Sequence, residues 1–121
     1  MAKTVLVVED DVLNMIVFRD TLHAHGFSCL EAVDGAAAMA LVRAERPDLI
    51  LMDIQLPDTS GIDVTRMLKA EEDLREIPVI AVTAFAAHGD EERILASGCE
   101  DHLPKPINIG VLIDAIERHI K

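Results

Sequence analysis

Five short apolar runs alternate along the chain with five segments whose apolar residues recur at helical spacing. A short apolar run is typical of a buried strand, while recurrence every three or four residues is typical of a helix. The pattern predicts strands at residues 4–8, 27–32, 49–52, 77–82 and 102–103. It predicts helices at residues 11–25, 36–44, 62–70, 90–96 and 108–119.

Glycine and proline mark the ends of these elements. Gly26 and Gly98 follow predicted helices, Pro47 ends another, and residues 55–61 have the composition of a loop. Strand–helix alternation with apolar strands predicts the α/β class, with a doubly wound parallel sheet covered by helices on both faces. Residues 1–121 are long enough for one domain only.

The chain is acidic, with 11 Lys and Arg against 22 Asp and Glu and a net charge of −11. Such a surface repels nucleic-acid phosphates and anionic lipids, so we expect no direct nucleic-acid binding. No apolar run reaches the ~18 residues of a membrane span, and the N-terminus has no signal-peptide pattern. We therefore expect a cytoplasmic protein without membrane insertion, in which Cys29 and Cys99 are reduced thiols.

Polar residues stand where the predicted strands end. In a doubly wound parallel sheet, ligands bind at the carboxyl ends of the strands. Clustered carboxylates repel one another there, and a hard divalent cation such as Mg²⁺ relieves the repulsion. The sequence therefore predicts a divalent-cation site, with the alternative that Asp11 only caps the following helix. The residues at the strand ends are Glu9, Asp10 and Asp11, then Asp53, then Thr83, then Lys105.

Lys105 and Thr83 indicate what chemistry the acidic cluster supports. A lysine opposite carboxylates is a suitable counter-charge for a transferring phosphoryl group, and a threonine hydroxyl adds a donor. A carboxylate can itself accept phosphate as an acyl phosphate, while a metal neutralises the charge. The alternative, compatible with the first, is that Lys105 forms a structural ion pair with one carboxylate.

Five segments together resemble the response-regulator receiver domain family over the whole length of the chain. They are Val7-Val8-Glu9-Asp10-Asp11, Leu51-Met52-Asp53-Ile54-Gln55-Leu56-Pro57, Ser60-Gly61, Val82-Thr83-Ala84 and Lys105-Pro106. Within the family the chain is most similar to single-domain regulators of the DivK type, through residues 52–61, 77–85, 89–94, 98–100 and 105–107. The resemblance implies a flavodoxin-like fold with strand order 2-1-3-4-5 and about five helices. It also implies a cis Lys105–Pro106 peptide and no output domain.

The resemblance assigns chemical roles to the residues at the strand ends. Asp53 is implied to be the phospho-acceptor, and Thr83 and Lys105 are implied to contact the phosphoryl oxygens. The cation is implied to be Mg²⁺, with Mn²⁺ or another divalent ion as a substitute. Its implied ligands are Asp10, Asp53, Glu9 directly or through a water, and the backbone carbonyl of Gln55.

Two further residues are implied to act on signalling and on the lifetime of the acyl phosphate. His102 stands where the family usually has Tyr or Phe, so Thr83 and His102 are implied to form the switch. The alternative is that His102 is only a surface histidine on an edge strand. Phe85 is expected to shield the acyl phosphate from water.

The first predicted helix is richer in apolar residues than one sheet-facing stripe requires. Its apolar residues are Val12, Leu13, Met15, Ile16, Val17, Phe18 and Leu22. We expect an exposed patch with Leu13, Asn14 and Val17 as contacts for a histidine kinase or a histidine phosphotransfer protein. The alternative is that the whole helix packs against its neighbours. Residues 90–94 and His102 would face a downstream protein target, and we expect a monomer or weak dimer.

The sequence thus predicts a single-domain response regulator of a two-component phosphorelay. It would be a switch that catalyses only its own phosphoryl acceptance and loss, with the DivK likeness implying control of the cell cycle or cell division. The alternative is a small metal-dependent phosphotransferase or phosphatase acting through an aspartyl phosphate, although no second Asp follows Asp53 at two residues' distance. A phosphate-independent adaptor and a flavin-binding module fit the acidic cluster less well.

Overall fold

The computed structural model describes residues 2–84 and 90–120. Strands and helices alternate through them. The strands are β1 (Thr4–Val8), β2 (Ser28–Ala32), β3 (Leu49–Asp53), β4 (Val79–Thr83) and β5 (Asp101–Pro104). The helices are α1 (Val12–Ala24), α2 (Gly35–Glu45), α3 (Gly61–Ala70), α4 (Asp90–Ala96) and α5 (Ile109–His119). The α/β class and the number of elements are as predicted.

The strands form one parallel sheet in the order β2-β1-β3-β4-β5. This confirms the order that the family resemblance implied. The chain runs outward from β1 to β2 and then returns to β3 on the other side of β1, so the order reverses between β1 and β3. Val8 pairs with Met52 there, which brings the residues that follow each of them to the same edge. Ligand sites in such sheets lie at this reversal.

An apolar layer covers each face of the sheet. Leu6, Val8, Ile50 and Met52 point to the layer formed with α2, α3 and α4. Alternate strand residues, such as Val7 and Leu51, point to the layer formed with α1 and α5. Because side chains alternate along a strand, a strand between two layers must be apolar at every position. All five residues of β3 are buried, so the polar residue that ends it is held rigidly.

Helix ends differ from the predicted bounds by one residue where a polar side chain caps the helix. Asp11 and Asn108, predicted as first helical residues, are N-caps whose side chains accept hydrogen bonds from backbone N–H groups inside the helix. Gly26 and Gly98 follow α1 and α4, as predicted, with φ of 84° and 108°. This left-handed conformation costs glycine little.

Two strands begin later than predicted, for local reasons. Strand β4 begins at Val79 rather than at residue 77, because the Ile77 N–H closes a turn onto Leu74 O and Pro78 has no N–H to donate. Strand β2 begins at Ser28, because the Phe27 N–H donates to the end of α1.

Further expectations concern the edge of the sheet, the peptide that follows β5, the cysteines and membrane spans. Strand β5 is longer than predicted and lies at an edge of the sheet, where Pro104 is tolerated. The Lys105–Pro106 peptide is cis, as the resemblance implied. Cys29 and Cys99 are free thiols. In the described ranges, no helix combines the length and the apolar character needed to cross a membrane.

Candidate functional site

Three carboxylates meet at the reversal of strand order. One oxygen each from Glu9, Asp10 and Asp53 lies within 4.8 Å of the other two. Glu9 and Asp53 are 1% and 5% exposed, whereas Asp10 is exposed to solvent. Oxygen ligands at this spacing suit a hard divalent cation, and the exposed member gives it access. The acidic cluster predicted from the strand ends is therefore present.

Lys105 reaches into the cluster from the loop after β5. Its Nζ donates to Glu9 Oε1 at 2.7 Å and to Asp53 Oδ2 at 3.2 Å. Neither contact involves Asp10, so one lysine charge faces three carboxylates. The predicted structural ion pair is present, and the remaining excess of negative charge favours a divalent cation.

The pKa values of Glu9 and Lys105 respond to this crowding. Burial raises the pKa of Glu9, and Asp53 adds to the increase while Lys105 opposes it. Burial lowers the pKa of Lys105, but its contacts with Glu9 and Asp53 outweigh burial and leave that pKa above its usual value. Lys105 is therefore a firmly protonated counter-charge inside a cluster that gains from further positive charge.

Asp53 is held by the loop that follows it. Its Oδ1 accepts a hydrogen bond from the Gln55 N–H at 3.1 Å. Gly61 packs directly behind Asp53, so that a Cβ at position 61 would lie 2.2 Å from the Asp53 carbonyl oxygen. Only glycine fits this close approach, which explains Gly61.

A pocket at the carboxyl edge of the sheet gathers most of the predicted site residues. Those lining it are Glu9, Asp10, Asp11, Asn14, Asp53, Gln55, Leu56, Pro57, Ala84 and Lys105. Thr83 is 7% exposed, directly precedes Ala84, and its carbonyl accepts the Lys105 N–H at 2.8 Å. Thr83 therefore lies at the margin of this pocket. Phe85 lies outside the described residues.

Asp11 plays the capping role that the sequence left open. Its Oδ1 accepts the Asn14 N–H at 3.0 Å, which caps α1. Its own N–H donates to Glu9 Oε2 at 3.1 Å. Both oxygens of Glu9 are therefore engaged, one by Lys105 and one by the Asp11 backbone.

His102 is directed to a helix and not to the acidic pocket. Its Nε2 lies 2.5 Å from Glu91 Oε1 on α4, and its side chain is 28% exposed. It is absent from the residues that line the pocket in the described part of the chain. The sequence analysis placed residues 90–94 and His102 on one surface but did not predict the contact between Glu91 and His102, because it exists only once α4 packs beside β5.

Helix α1 carries an exposed apolar patch next to the pocket, which we call the α1 patch. Met15, Phe18 and Leu22 are buried, as a sheet-facing stripe requires. The α1 patch consists of Val12, Leu13, Ile16 and Val17, exposed by 72%, 74%, 37% and 49%. The expectation that some apolar residues of α1 are exposed is confirmed, and the half-buried Asn14 joins the α1 patch to the pocket.

Comparison with known proteins agrees with the site and the fold. The family model described as response regulator receiver domain matches residues 5–117. The polar-differentiation response regulators DivK of Brucella anthropi and Brucella melitensis are each 52% identical to this chain over 120 residues, covering 99% of this chain and 98% of each relative.

Solved structures also match the fold of this chain. The receiver domain of sensor histidine kinase PA1611 from Pseudomonas aeruginosa, crystallised with a magnesium ion coordinated in its active-site cleft, has a TM-score of 0.91 at 35% identity over 98% of both chains. Chemotaxis regulator CheY4 of Vibrio cholerae has a TM-score of 0.93 at 23% identity, covering 99% of this chain and all of that one, and supports the fold alone. The chain belongs to the response-regulator receiver domain family of two-component signalling, as a DivK-like member.

Proposed function

We propose that this chain accepts a phosphoryl group on Asp53 from a histidine kinase or a histidine phosphotransfer protein, and that the modification changes its protein contacts. The observation that carries the proposal is the setting of Asp53. It is a buried carboxylate with Lys105 Nζ at 3.2 Å and two further carboxylates alongside. A carboxylate nucleophile beside a fixed cation and a set of metal ligands has the parts that phosphoryl transfer needs.

In the proposed transfer, an oxygen of Asp53 attacks the phosphorus of a phosphohistidine. The phosphorus–nitrogen bond breaks as the phosphorus–oxygen bond forms, and the leaving imidazole nitrogen keeps the bonding electron pair. The product is an acyl phosphate on Asp53. Lys105 already contacts Asp53 Oδ2, so its ammonium is placed to donate to a phosphoryl oxygen. Thr83, at the margin of the pocket, would supply a hydroxyl donor to another.

Mg²⁺ is the proposed cation, and Mn²⁺ would substitute. Glu9, Asp10, Asp53 and the backbone carbonyl of Gln55 would hold it, with Glu9 acting directly or through a water. Two observations support this choice. Lys105 pairs with two of the three clustered carboxylates, which leaves an excess of negative charge. The Pseudomonas relative was crystallised with a magnesium ion in its active-site cleft. When bound, the ion neutralises the charge of the transferred phosphoryl group.

The α1 patch is the proposed contact surface for the phosphoryl donor. Leu13 and Val17 are exposed apolar residues within it, and Asn14 links it to the pocket. A partner docked there would bring its phosphohistidine to Asp53. The face formed by α4 and β5 near His102 is proposed to meet the downstream target.

Within this proposal the protein acts as a switch and turns over no separate substrate. The likeness to polar-differentiation regulators supports a role in the control of cell division. The oligomeric state proposed for the switch is a monomer or weak dimer.

The deciding experiment is phosphoryl transfer from a small acyl-phosphate donor in the presence of Mg²⁺, followed by mass-spectrometric mapping. One phosphoryl group on the peptide that contains Asp53 is expected, and chelation of the metal should prevent its addition. A parallel assay with phosphate esters tests the small phosphotransferase or phosphatase. Many turnovers per molecule in that assay would favour the enzyme over the switch.

Replacing Lys105 by Ala should weaken the link between phosphorylation and partner binding. Such couplings are typically about 1–3 kcal/mol, or roughly 5–150-fold in affinity. Without the ammonium to respond to the new phosphoryl charge, most of the increase in partner affinity on phosphorylation should disappear. Mg²⁺ binding should persist, because Glu9, Asp10 and Asp53 all remain. The measurements are partner affinity with and without phosphorylation, and calorimetric titration with Mg²⁺.

Lys69→Ala is the matched control for Lys105→Ala. Lys69 also pairs with a carboxylate, Glu100 Oε1 at 2.9 Å, but lies away from the pocket. Its replacement should lower the melting temperature and leave the coupling intact. Equal partner affinities for phosphorylated Lys105→Ala and phosphorylated wild type would contradict the role given to Lys105.

Replacing His102 by Ala should affect signalling more than phosphate chemistry. His102 contacts Glu91 on α4 and does not line the pocket, so the rate of phosphoryl acceptance should remain close to wild type. The gain in partner affinity on phosphorylation should fall, because the side-chain contact of His102 with Glu91 between β5 and α4 is lost. Glu91→Gln should act in the same direction with a smaller effect. A large loss of phosphorylation rate in His102→Ala would instead assign His102 to the chemical site.

A further inference from the structure

The loop between β3 and α3 carries a proposed metal ligand and is held at its base by backbone contacts. The Gly61 N–H donates to Ile54 O at 2.8 Å, and Gln55 pairs with Ser60 in an isolated antiparallel bridge. These contacts close the loop but do not attach its tip to the rest of the protein. The Gln55 N–H is held separately by Asp53 Oδ1 at 3.1 Å, whereas the Gln55 carbonyl side continues into residues 56–60, whose tip needs a further contact.

Asp58 holds the tip of this loop against a different part of the chain. Its Oδ1 accepts the Gly35 N–H at 2.8 Å, and its Oδ2 accepts the Ala36 N–H at 3.1 Å. Both donors belong to the first turn of α2, where backbone N–H groups have no acceptor within the helix and the helix dipole favours a carboxylate. The hydrogen bond from Gly35 is the main cause that lowers the pKa of Asp58.

Helix α2 already has its own N-cap, so Asp58 is an additional contact between distant segments. Asp34 caps the helix by accepting the Ala37 N–H at 2.7 Å. The two carboxylates thus engage different N–H groups of one helix turn. Asp34 acts within its own helix, whereas Asp58 joins that helix to the loop after Asp53.

The start of α2 is also shaped to receive the loop. A Cβ at Gly35 would lie 2.5 Å from Thr59 Cγ2 and 3.0 Å from Val64 Cγ2. The loop therefore occupies the space that a side chain at position 35 would need. The contact combines a carboxylate that accepts two hydrogen bonds with close packing, and together they define the position of the loop against α2.

We propose that Asp58 is a positioning residue for the phosphoryl-acceptor site. By fastening the loop to α2, it fixes the backbone carbonyl of Gln55 at the pocket and thereby strengthens Mg²⁺ binding. The inference rests on the proposed function for the identity of the metal ligands. Mg²⁺ demands near-ideal octahedral geometry, so a loop free to shift would bind it less well. Residues that orient metal ligands typically contribute about 10–100-fold in affinity or activity.

The test compares Asp58→Ala with Asp34→Ala, using Mg²⁺ alone as the probe and the intact chain. Each variant removes one carboxylate that accepts hydrogen bonds from the first turn of α2, and only Asp58→Ala releases the loop. We expect Mg²⁺ affinity to fall on the order of tenfold in Asp58→Ala and to stay at the wild-type value in Asp34→Ala. Titration calorimetry measures the affinity, and thermal melts followed by circular dichroism report the stability of each variant.

Phosphorylation kinetics add a readout that helix capping alone would not move. Asp58→Ala should need more Mg²⁺ to reach half its maximal rate, while its rate at saturating Mg²⁺ should approach that of wild type. Asp58→Asn keeps one accepting oxygen, so its Mg²⁺ affinity should lie between Asp58→Ala and wild type. This conservative variant also keeps the test decisive if Asp58→Ala folds poorly.

The outcomes separate this inference from the proposed function. An unchanged Mg²⁺ affinity in both Asp58 variants, with a lowered melting temperature, would make Asp58 a simple helix cap and overturn the inference. Wild type that binds no Mg²⁺ would overturn it as well. Wild type that binds Mg²⁺ but accepts no phosphoryl group would reject the proposed function. In that case the comparison of affinities would still decide the role of Asp58.

Discussion

Asp53→Asn is expected to abolish phosphoryl acceptance while the fold remains intact. The amide has nearly the volume of the carboxylate but is not a nucleophile, so no acyl phosphate can form. Lys105 keeps its 2.7 Å contact with Glu9 Oε1 when the Asp53 charge is lost. The variant also removes one of three crowded carboxylates, which offsets the lost ion pair. Label transferred from an acyl-phosphate donor should fall to background, with an unchanged circular dichroism spectrum.

Asp63→Asn is a suitable control for this result. Asp63 is an exposed carboxylate on α3 that pairs only loosely with Arg66, at 3.9 Å. Its replacement should leave the transfer of label at the wild-type level. Stable label on another residue of Asp53→Asn would show that Asp53 is not the acceptor.

Asp10→Asn should make the metal-free protein more stable and remove most of its response to Mg²⁺. One oxygen each from Glu9, Asp10 and Asp53 lies within 4.8 Å of the other two, and of these three carboxylates the Lys105 ammonium contacts Glu9 and Asp53. Neutralising Asp10 removes a repelling charge, which should raise the free energy of unfolding by something on the order of 1 kcal/mol. Wild type should gain about 1.4 kcal/mol from Mg²⁺ at ten times its Kd, and the variant much less.

Thermal melts with chelator and with millimolar Mg²⁺ measure both parts of this prediction. Circular dichroism is the appropriate probe, because the chain has no Trp or Tyr. Asp11→Asn is the matched control, since it neutralises the adjacent residue while Asn can still cap α1. This control should respond fully to Mg²⁺. A metal-free Asp10→Asn that melts below wild type and still responds fully would contradict the metal-site assignment.

The sequence predicted the architecture well because each strand is marked by apolar residues and each helix by spacing or caps. The order of the strands in the sheet could not be derived from that pattern and was implied by the resemblance to the receiver domain family. Errors occurred where single hydrogen bonds decide a boundary. Ile77 has the apolar character of a strand, but its N–H belongs to a turn, and Pro78 next to it cannot donate.

The pocket was predictable because parallel strands end at one edge of the sheet. This rule brought Glu9, Asp10, Asp53 and Lys105 together before any geometry was known. It could not indicate that Lys105 lies closer to Glu9 than to Asp53, which depends on the path of the loop after β5. The phosphoryl-acceptor, ligand and switch roles of these residues stay predictions until the experiments above.

Contacts between distant segments were the least predictable part of the molecule. Asp58 reads in the sequence as an ordinary loop residue, and Glu91 as an exposed helical one. Their partners, Gly35 and His102, lie 23 and 11 residues away and meet them only after packing. No local pattern encodes such pairs, so the residues that tune the site are harder to find than those that form it.

The short edge strand restricts how another protein can bind at this edge of the sheet. Strand β5 has four residues and ends in Pro104, which has no N–H to offer a neighbouring strand. A peptide that binds by extending a sheet needs a row of free main-chain groups, and this edge offers few. The same shortage protects against edge-to-edge aggregation. We therefore expect any protein that binds at this edge to rely on contacts with side chains.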